Sequence, residues 1–494
     1  MISRSPVLHL VLCSAFPILF LFGRNRGEAA WSDLPGPLLV CVGATLVLWL
    51  ALGFLPGRPD AKAAALSLTV VGLFAYGHAK RAVQGVAAVK TELILVVAAV
   101  ALVLAIVALT KLTDERTGLT PTLNVFAACL VALSLFQIWR SPAKGPEPPR
   151  PRPSPEAVSD GHRHPNIFYV VVDGYARDDV LRDVLGFDNG PFLRFLSSRT
   201  FVVPPRSRAN YGQTDRSVAS SLNMRLLGPA DKPLDLIERN EVFFQLRRHG
   251  YRCVTFSSGY RVTEIEDADA VLGPRDAGWS ELETVLFAMT PLPDTIRALR
   301  LPNPFRAFDE GAHRARILHT LEHLADPLRS PGPVFVFAHV VAPHPPYVFG
   351  PHGEVRERDE YVGLGDDAGW QPRHRQAYRD QLAFLNGKLQ GAIDEIRSRS
   401  AEPAIILLQA DHGSAFRLTA KTPARDALVE RFAILNAWLA PPDVAARLYE
   451  GITPVNSFRV LFRALFGSEL EPAPDRSFWP VDGRAEEDVT ARVE

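Results

Sequence analysis

Five apolar runs lie within the first 140 residues: Pro6–Gly23, Gly36–Leu55, Ala63–Gly77, Leu93–Thr110 and Leu123–Trp139. Each is close to the ~17–25 residues that carry a helix across a bilayer, and charge is almost absent from them. The hydrocarbon core offers no water to satisfy backbone N–H and C=O groups, so such runs fold as helices or not at all. A cleaved signal peptide competes for the first run only, because four more follow it. A buried helical soluble domain would need none of this repetition. The chain therefore reads as a membrane domain of about five transmembrane helices over residues 1–140.

Sidedness is less well marked. With a cytoplasmic amino terminus, five spans place the C-terminal part outside. The cytoplasmic side then holds Arg4, Arg58, Lys62, Lys111 and Arg116, and the other side Arg24, Arg26, Lys80, Arg81, Lys90, Arg140, Lys144, Arg150 and Arg152. Five against nine runs counter to the positive-inside rule. Cys13, Cys41 and Cys129 fall in apolar runs, which leaves Cys253 without an intradomain partner. With 54 basic and 54 acidic residues, no nucleic-acid partner is expected.

Residues 141–165 are proline-rich and have no apolar face to bury, as expected of a linker. Beyond it, Asn166–Val172 is a continuous β-branched run of the kind buried on both faces of a sheet. Similar strands are expected at Arg252–Phe256, Val334–Val340, Ala404–Gln409 and Phe432–Asn436. Helical patterns at Asp235–His249, Asp309–Leu328 and Gln371–Ser400 separate several of them. The alternation predicts an α/β sandwich with a mostly parallel central sheet over 166–470, and 471–494 reads as a tail in which Phe478-Trp479 can dock.

In such sheets ligands collect at the carboxyl ends of strands. Those ends supply Asp173, then His339 and His344 with Tyr347, then Asp411-His412. Singly, each has a plain structural reading: turns for Asp173-Gly174 and Asp411-His412-Gly413, a core histidine for His339, a loop-shaping residue for His344. Thr214, between a Gly/Arg-rich loop and a small-residue helical pattern, is either an N-cap or a nucleophile placed where free N–H groups hold an anion. Together, two carboxylates, histidine and a hydroxyl suit a divalent cation. Arg216 either clamps phosphoryl oxygens or points to solvent. Asp309 and His313, at i and i+4, read as a surface pair. Arg431, Asn436 and Asn456 read as structural, and Arg379 and Lys388 as a solvated helix face.

Five segments occur in one order over nearly all of 165–467: Val170-Val-Val-Asp-Gly174, the Thr214 segment, Ala338-His-Val-Val-Ala-Pro-His-Pro-Pro-Tyr347, Leu407-Leu-Gln-Ala-Asp-His-Gly-Ser414 and Glu430-Arg-Phe-Ala-Ile-Leu-Asn-Ala437. They resemble the sulfatase-like branch of the alkaline phosphatase superfamily. With the apolar N-terminal runs they are similar to its membrane-anchored members, such as lipoteichoic-acid synthases and phosphoethanolamine transferases. The resemblance implies one divalent metal ion (Mn²⁺, Zn²⁺, Mg²⁺ or Ca²⁺) on Asp173, Thr214, Asp411 and His412, with Thr214 as nucleophile; His344 is the candidate for binding a non-bridging oxygen or protonating the leaving group, because imidazole does either near pH 7. It also implies a bilayer location, with a periplasmic or extracellular catalytic domain acting on phosphate or sulfate esters of envelope lipids or glycans. Formylglycine chemistry needs Cys or Ser followed by Pro and Arg, whereas this chain has Thr214-Asp-Arg-Ser-Val218, so phosphoryl transfer fits better than sulfate cleavage. The alternative is an inactive, envelope-assembly member of the same fold.

Overall fold

The computed structural model describes residues 5–25, 31–86, 89–114, 119–140, 164–274, 280–299, 301, 306–356, 370–418, 423–481 and 484–494. Nearly all of the expected linker therefore lies outside the described residues. The chain divides into two compact units, residues 1–147 with 278–309, and residues 148–277 with 310–494.

The first unit holds five long helices: α1 (Pro6–Arg24), α2 (Pro35–Gly53), α3 (Pro59–Val86), α4 (Thr91–Asp114) and α5 (Leu119–Arg140). Among the described residues, four helices are long and apolar enough to cross a membrane, and α3 is the one left out. The apolar stretch of α3 is flanked within the same helix by Asp60 and Lys62 and by Lys80 and Arg81, which limits its uninterrupted length. Leu39, Leu50 and Leu104 are more than 60% exposed, as lipid-facing side chains are. Residues 278–309, expected within the second domain, belong to this unit. There Asp294 accepts from Tyr76 Oη at 2.8 Å and from Lys80 Nζ at 2.7 Å.

The second unit is built on a six-stranded sheet in the order β3-β2-β4-β1-β5-β6. The strands are β1 (Ile167–Val172), β2 (Arg252–Phe256), β3 (Ala270–Leu272), β4 (Val334–Val340), β5 (Ile405–Gln409) and β6 (Asn436–Leu439). All pairings are parallel except β5 with β6. Alternation along β1 sends Phe168, Val170 and Val172 into one core layer, against Leu382, Leu385 and Leu389 of the helix Arg375–Arg399. Ile167, Tyr169 and Val171 enter the other, with Val218 and Leu222 of the helix Thr214–Asn223 and Phe458 and Leu461 of the helix Pro454–Phe466. Burial on both faces explains why β1 reads as an unbroken apolar run.

Three expectations are corrected. Phe432–Asn436 is not a strand: Arg425–Phe432 is helical and the strand begins at Asn436. The pattern Asp235–His249 is two helices, Pro233–Glu238 and Glu241–Arg248, because Asn240 caps the second by accepting from Phe243 N. Residues 471–494 are not a free tail. They form β7 (Phe478–Val481) antiparallel to β8 (Arg484–Asp488), followed by a helical turn at Thr490–Val493.

Candidate active site

Parallel pairing of β1 between β4 and β5 brings the three strand ends together. Asp173 follows β1, and its N–H donates to Val340 O at 3.0 Å. Its own carbonyl accepts from His344 N at 3.0 Å, while Gly174 N donates to Asp411 Oδ1 at 3.1 Å. Three loops are thereby tied to one another, by two backbone bonds and one to the Asp411 carboxylate. Gly174 has φ +72°, and a Cβ there would press on Trp370 at 3.2 Å. Tyr378 Oη, donating to Gly174 O at 2.9 Å, fixes the turn from the long helix.

Thr214 is the first residue of its helix, is 8% exposed, and has its Oγ1 3.3 Å from His412 Nε2. The cap position itself is Gln213, whose side chain makes no capping bond. The Thr214 hydroxyl is thus committed to the histidine. His412 Nδ1 lies 2.9 Å from Gly413 O. A carbonyl only accepts, so Nδ1 carries the proton and the Nε2 lone pair faces inward. Burial first, and then the nearby Arg431 charge, push His412 down to about 4, so it is neutral at pH 7. His344 Nδ1 lies 2.6 Å from Pro345 O, so there too the Nδ1 position carries a proton.

The inward atoms repel one another as they stand. His412 Nε2 lies 3.5 Å from Asp173 Oδ1 and 3.4 Å from Asp411 Oδ2, which sets lone pair against lone pair. Asp173 Oδ1, Asp411 Oδ2 and His339 Nε2 are buried with no hydrogen-bond partner. Burial works to raise the Asp173 carboxyl, but His344, His339 and His412 hold it below its usual range, so it is ionised. Buried groups are normally satisfied, and lone pairs converging without a donor are what a cation resolves. Two triads have all ligand atoms within 4.8 Å: Asp173, His344 and His412, and Asp173, His339 and Asp411. These residues fit a divalent cation.

Of the residues singled out from sequence, Asp173, Thr214, His344, Asp411 and His412 converge. Arg216 does not join them. Its Nη2 donates to Glu486 Oε2 at 2.9 Å, a second contact joins Nε to the other carboxylate oxygen, and the guanidinium lies 5.2 Å from the Tyr211 ring centre. His313, expected at the surface, is 2% exposed on the helix Arg306–His323, and its neighbour Glu310 is buried as well. Asn436 and Asn456 serve the scaffold: Asn436 Oδ1 accepts from Gln409 and Trp438, and Asn456 Nδ2 donates to Ala473 O and Asp475. Arg379 bonds Leu185 O, and Lys388 pairs with Glu322 on an exposed face.

Two residues matter more than their sequence reading allowed. His339, taken as a core histidine, has Nε2 3.3 Å from Asp173 Oδ2 and Nδ1 2.7 Å from Thr263 Oγ1. The signal was present: a polar residue closing β4 on the Phe335/Phe337 face, which is the face that carries the Thr214 helix. Arg431, read as structural, donates to Gly212 O at 2.8 Å from Nε, joining the loop before Thr214 to the strand end after His412. No signal in the sequence pointed to that bridge.

Gly413 tests the packing directly. A Cβ there would run into Glu430 O, and would lie 2.6 Å from Ala433 O. Gly413→Ala is expected to cost about 2–3 kcal/mol as an overpacked core site. Gly391→Ala, in the middle of the helix Arg375–Arg399 with nothing within 4 Å, is expected to gain about 1 kcal/mol. Thermal melting of both variants checks this, and equal melting temperatures would contradict it.

No family model matches the chain, and no curated protein matches it. Solved structures do. The zinc complex of the C-terminal periplasmic domain of EcEptC from Escherichia coli is similar at 10% identity over 68% of this chain and 96% of that one, with a TM-score of 0.44. The integral membrane protein lipooligosaccharide phosphoethanolamine transferase A from Neisseria meningitidis is similar at 12% identity over 93% and 95%, with a TM-score of 0.40. Phosphonate monoester hydrolase of Agrobacterium radiobacter is similar at 16% identity over 65% and 80%, with a TM-score of 0.42.

Proposed function

We propose that this chain is a membrane-anchored, cation-dependent phosphoryl-transfer enzyme that acts on phosphate esters of lipid-linked or envelope glycan substrates, with Thr214 as the attacking group. The observation that carries this reading is the approach of the Thr214 hydroxyl to a buried cluster whose inward atoms lack donors. Asp173, Asp411 and His412, with His339 or His344, would hold the cation. A divalent cation bound there would lower the pKa of the hydroxyl and offset charge on the phosphoryl oxygens.

The protein's own groups do the rest. Thr214 Oγ1 loses its proton to solvent as it attacks phosphorus in line, the Thr–O–P bond forms as the ester P–O bond breaks, and the leaving oxygen takes up a proton; water or an acceptor hydroxyl then displaces Thr214 Oγ1, which regains a proton. His344, with Nδ1 held by its own loop, donates from Nε2, once that nitrogen is protonated, to a non-bridging oxygen or to the leaving oxygen. N–H groups of the first helical turn after Gln213 add positive potential. Sulfate esters are a poorer fit, since residue 214 is neither Cys nor Ser.

The purified full-length chain, supplied in turn with Zn²⁺, Mn²⁺, Mg²⁺ and Ca²⁺, is expected to hydrolyse p-nitrophenyl phosphate or bis(p-nitrophenyl) phosphate faster than p-nitrophenyl sulfate. No turnover with any of these cations would favour an inactive assembly protein. For sidedness, a reporter fused after Glu494 that works only outside the cytoplasm is expected to be active; a silent reporter would place the domain inside.

A further inference from the structure

The C-terminal hairpin packs on the segment that carries Thr214. Phe478 N donates to Asn210 O at 2.8 Å, and Ser477 Oγ to Ala209 O at 2.7 Å. The Phe478 ring stacks on Tyr211, with centres 5.5 Å apart and planes at 20°. Asn210 Nδ2 donates back to Arg476 O at 2.8 Å. The Trp479 ring lies over Gly212, where a Cβ would come within 3.2 Å of it. Glu486 then grips Arg216 through two contacts, with the two side chains 13% and 14% exposed.

Every residue from Ala209 to Gly212, together with Arg216 two positions after the nucleophile, is thus held by Arg476, Ser477, Phe478, Trp479 and Glu486. A helix start preceded by loop has little stiffness of its own. In-line attack requires the hydroxyl to be placed to a fraction of an ångström. We propose that the hairpin Phe478–Asp488 positions Thr214, with the Glu486–Arg216 pair as its lock. Arg216 acts through the backbone it anchors and does not touch the reacting phosphoryl group. This rests on Thr214 being the attacking group. The hairpin is a natural point of control, since anything that lifts it removes these contacts to Ala209–Gly212 and Arg216.

The test uses the full-length chain with Glu486→Gln, Arg216→Gln and the double variant. Turnover of p-nitrophenyl phosphate or its diester, bound cation, melting temperature and backbone deuterium uptake over 209–217 are measured. Glu486→Gln is expected to lower kcat about tenfold with KM and bound cation unchanged, and to speed uptake in that segment alone. The double variant is expected to be no worse than either single one, as for two ends of one interaction. Glu486→Asp is expected to recover part of the loss. Unchanged uptake in Glu486→Gln would overturn the clamp whether or not the protein is active. Faster uptake with unchanged kcat would overturn the positioning role. A fall in melting temperature with uniformly faster uptake and full kcat per folded molecule would show a purely structural contact and also overturn it. If Thr214→Ala is as active as the parent, the attacking-group assignment fails instead, which is a separate result.

Discussion

Thr214→Ala is expected to lose turnover by about a thousandfold or more, while bound cation stays measurable and the melting temperature changes little. The size of the loss follows from the role: without the hydroxyl no covalent intermediate forms, and what remains is water attacking a substrate that is still bound. The small effect on stability follows from the geometry. Thr214 lies inside the first turn and its oxygen faces His412, so no capping bond is lost. A pure N-cap would behave in the opposite way, costing about 1 kcal/mol of stability with activity retained. Parallel melting and steady-state kinetics on the same preparation distinguish the two. Thr214→Ser, which keeps an oxygen, should restore part of the rate.

Removal of the cation is expected to have the second largest effect. A strong chelator should abolish turnover, and one divalent cation should restore it. Asp411→Asn and Asp173→Asn should each lower bound cation severely and depress kcat with it. The physical basis is the unpaired state of Asp173 Oδ1 and Asp411 Oδ2, which face the His412 Nε2 lone pair. Without positive charge between them, buried lone pairs oppose one another; with it, each gains a partner. Ligand binding to the native state alone also stabilises it, by about 2.7 kcal/mol at a hundredfold excess over Kd. The chelated protein should therefore melt several degrees lower than the loaded one. Equal melting temperatures and full activity after chelation would refute a bound cation.

The parts legible in the sequence were those set by local pattern. β1 and β4 are bounded almost to the residue because a doubly buried parallel strand is nearly continuous in apolar residues, and β2 is bounded as closely although it opens on exposed Arg252 and includes Thr255. The strand-end rule then located Asp173, Asp411 and His412 without any contact information. Patterns failed where tertiary packing decides. Phe432–Asn436 is apolar because a helix end and a strand start share one buried corner. His339 looked like an isolated core histidine because nothing in β4 reveals that Asp173 and Asp411 sit beside its last turn of chain. The pairing of Arg216 is out of reach of the sequence: Glu486 lies 270 residues away, in a segment whose acidity and prolines read as a tail. Likewise, residues 278–309 carry no compositional mark of membership in the first unit.

The most direct measurement is mass spectrometry of the full-length protein, acid-quenched during turnover of a phosphate ester with the activating cation and digested to peptides. The peptide containing Thr214 is expected to carry the transferred phosphoryl group on that threonine, and Thr214→Ala to carry none. Sustained turnover with no modified peptide, or with the group on a different residue, would contradict Thr214 as the nucleophile.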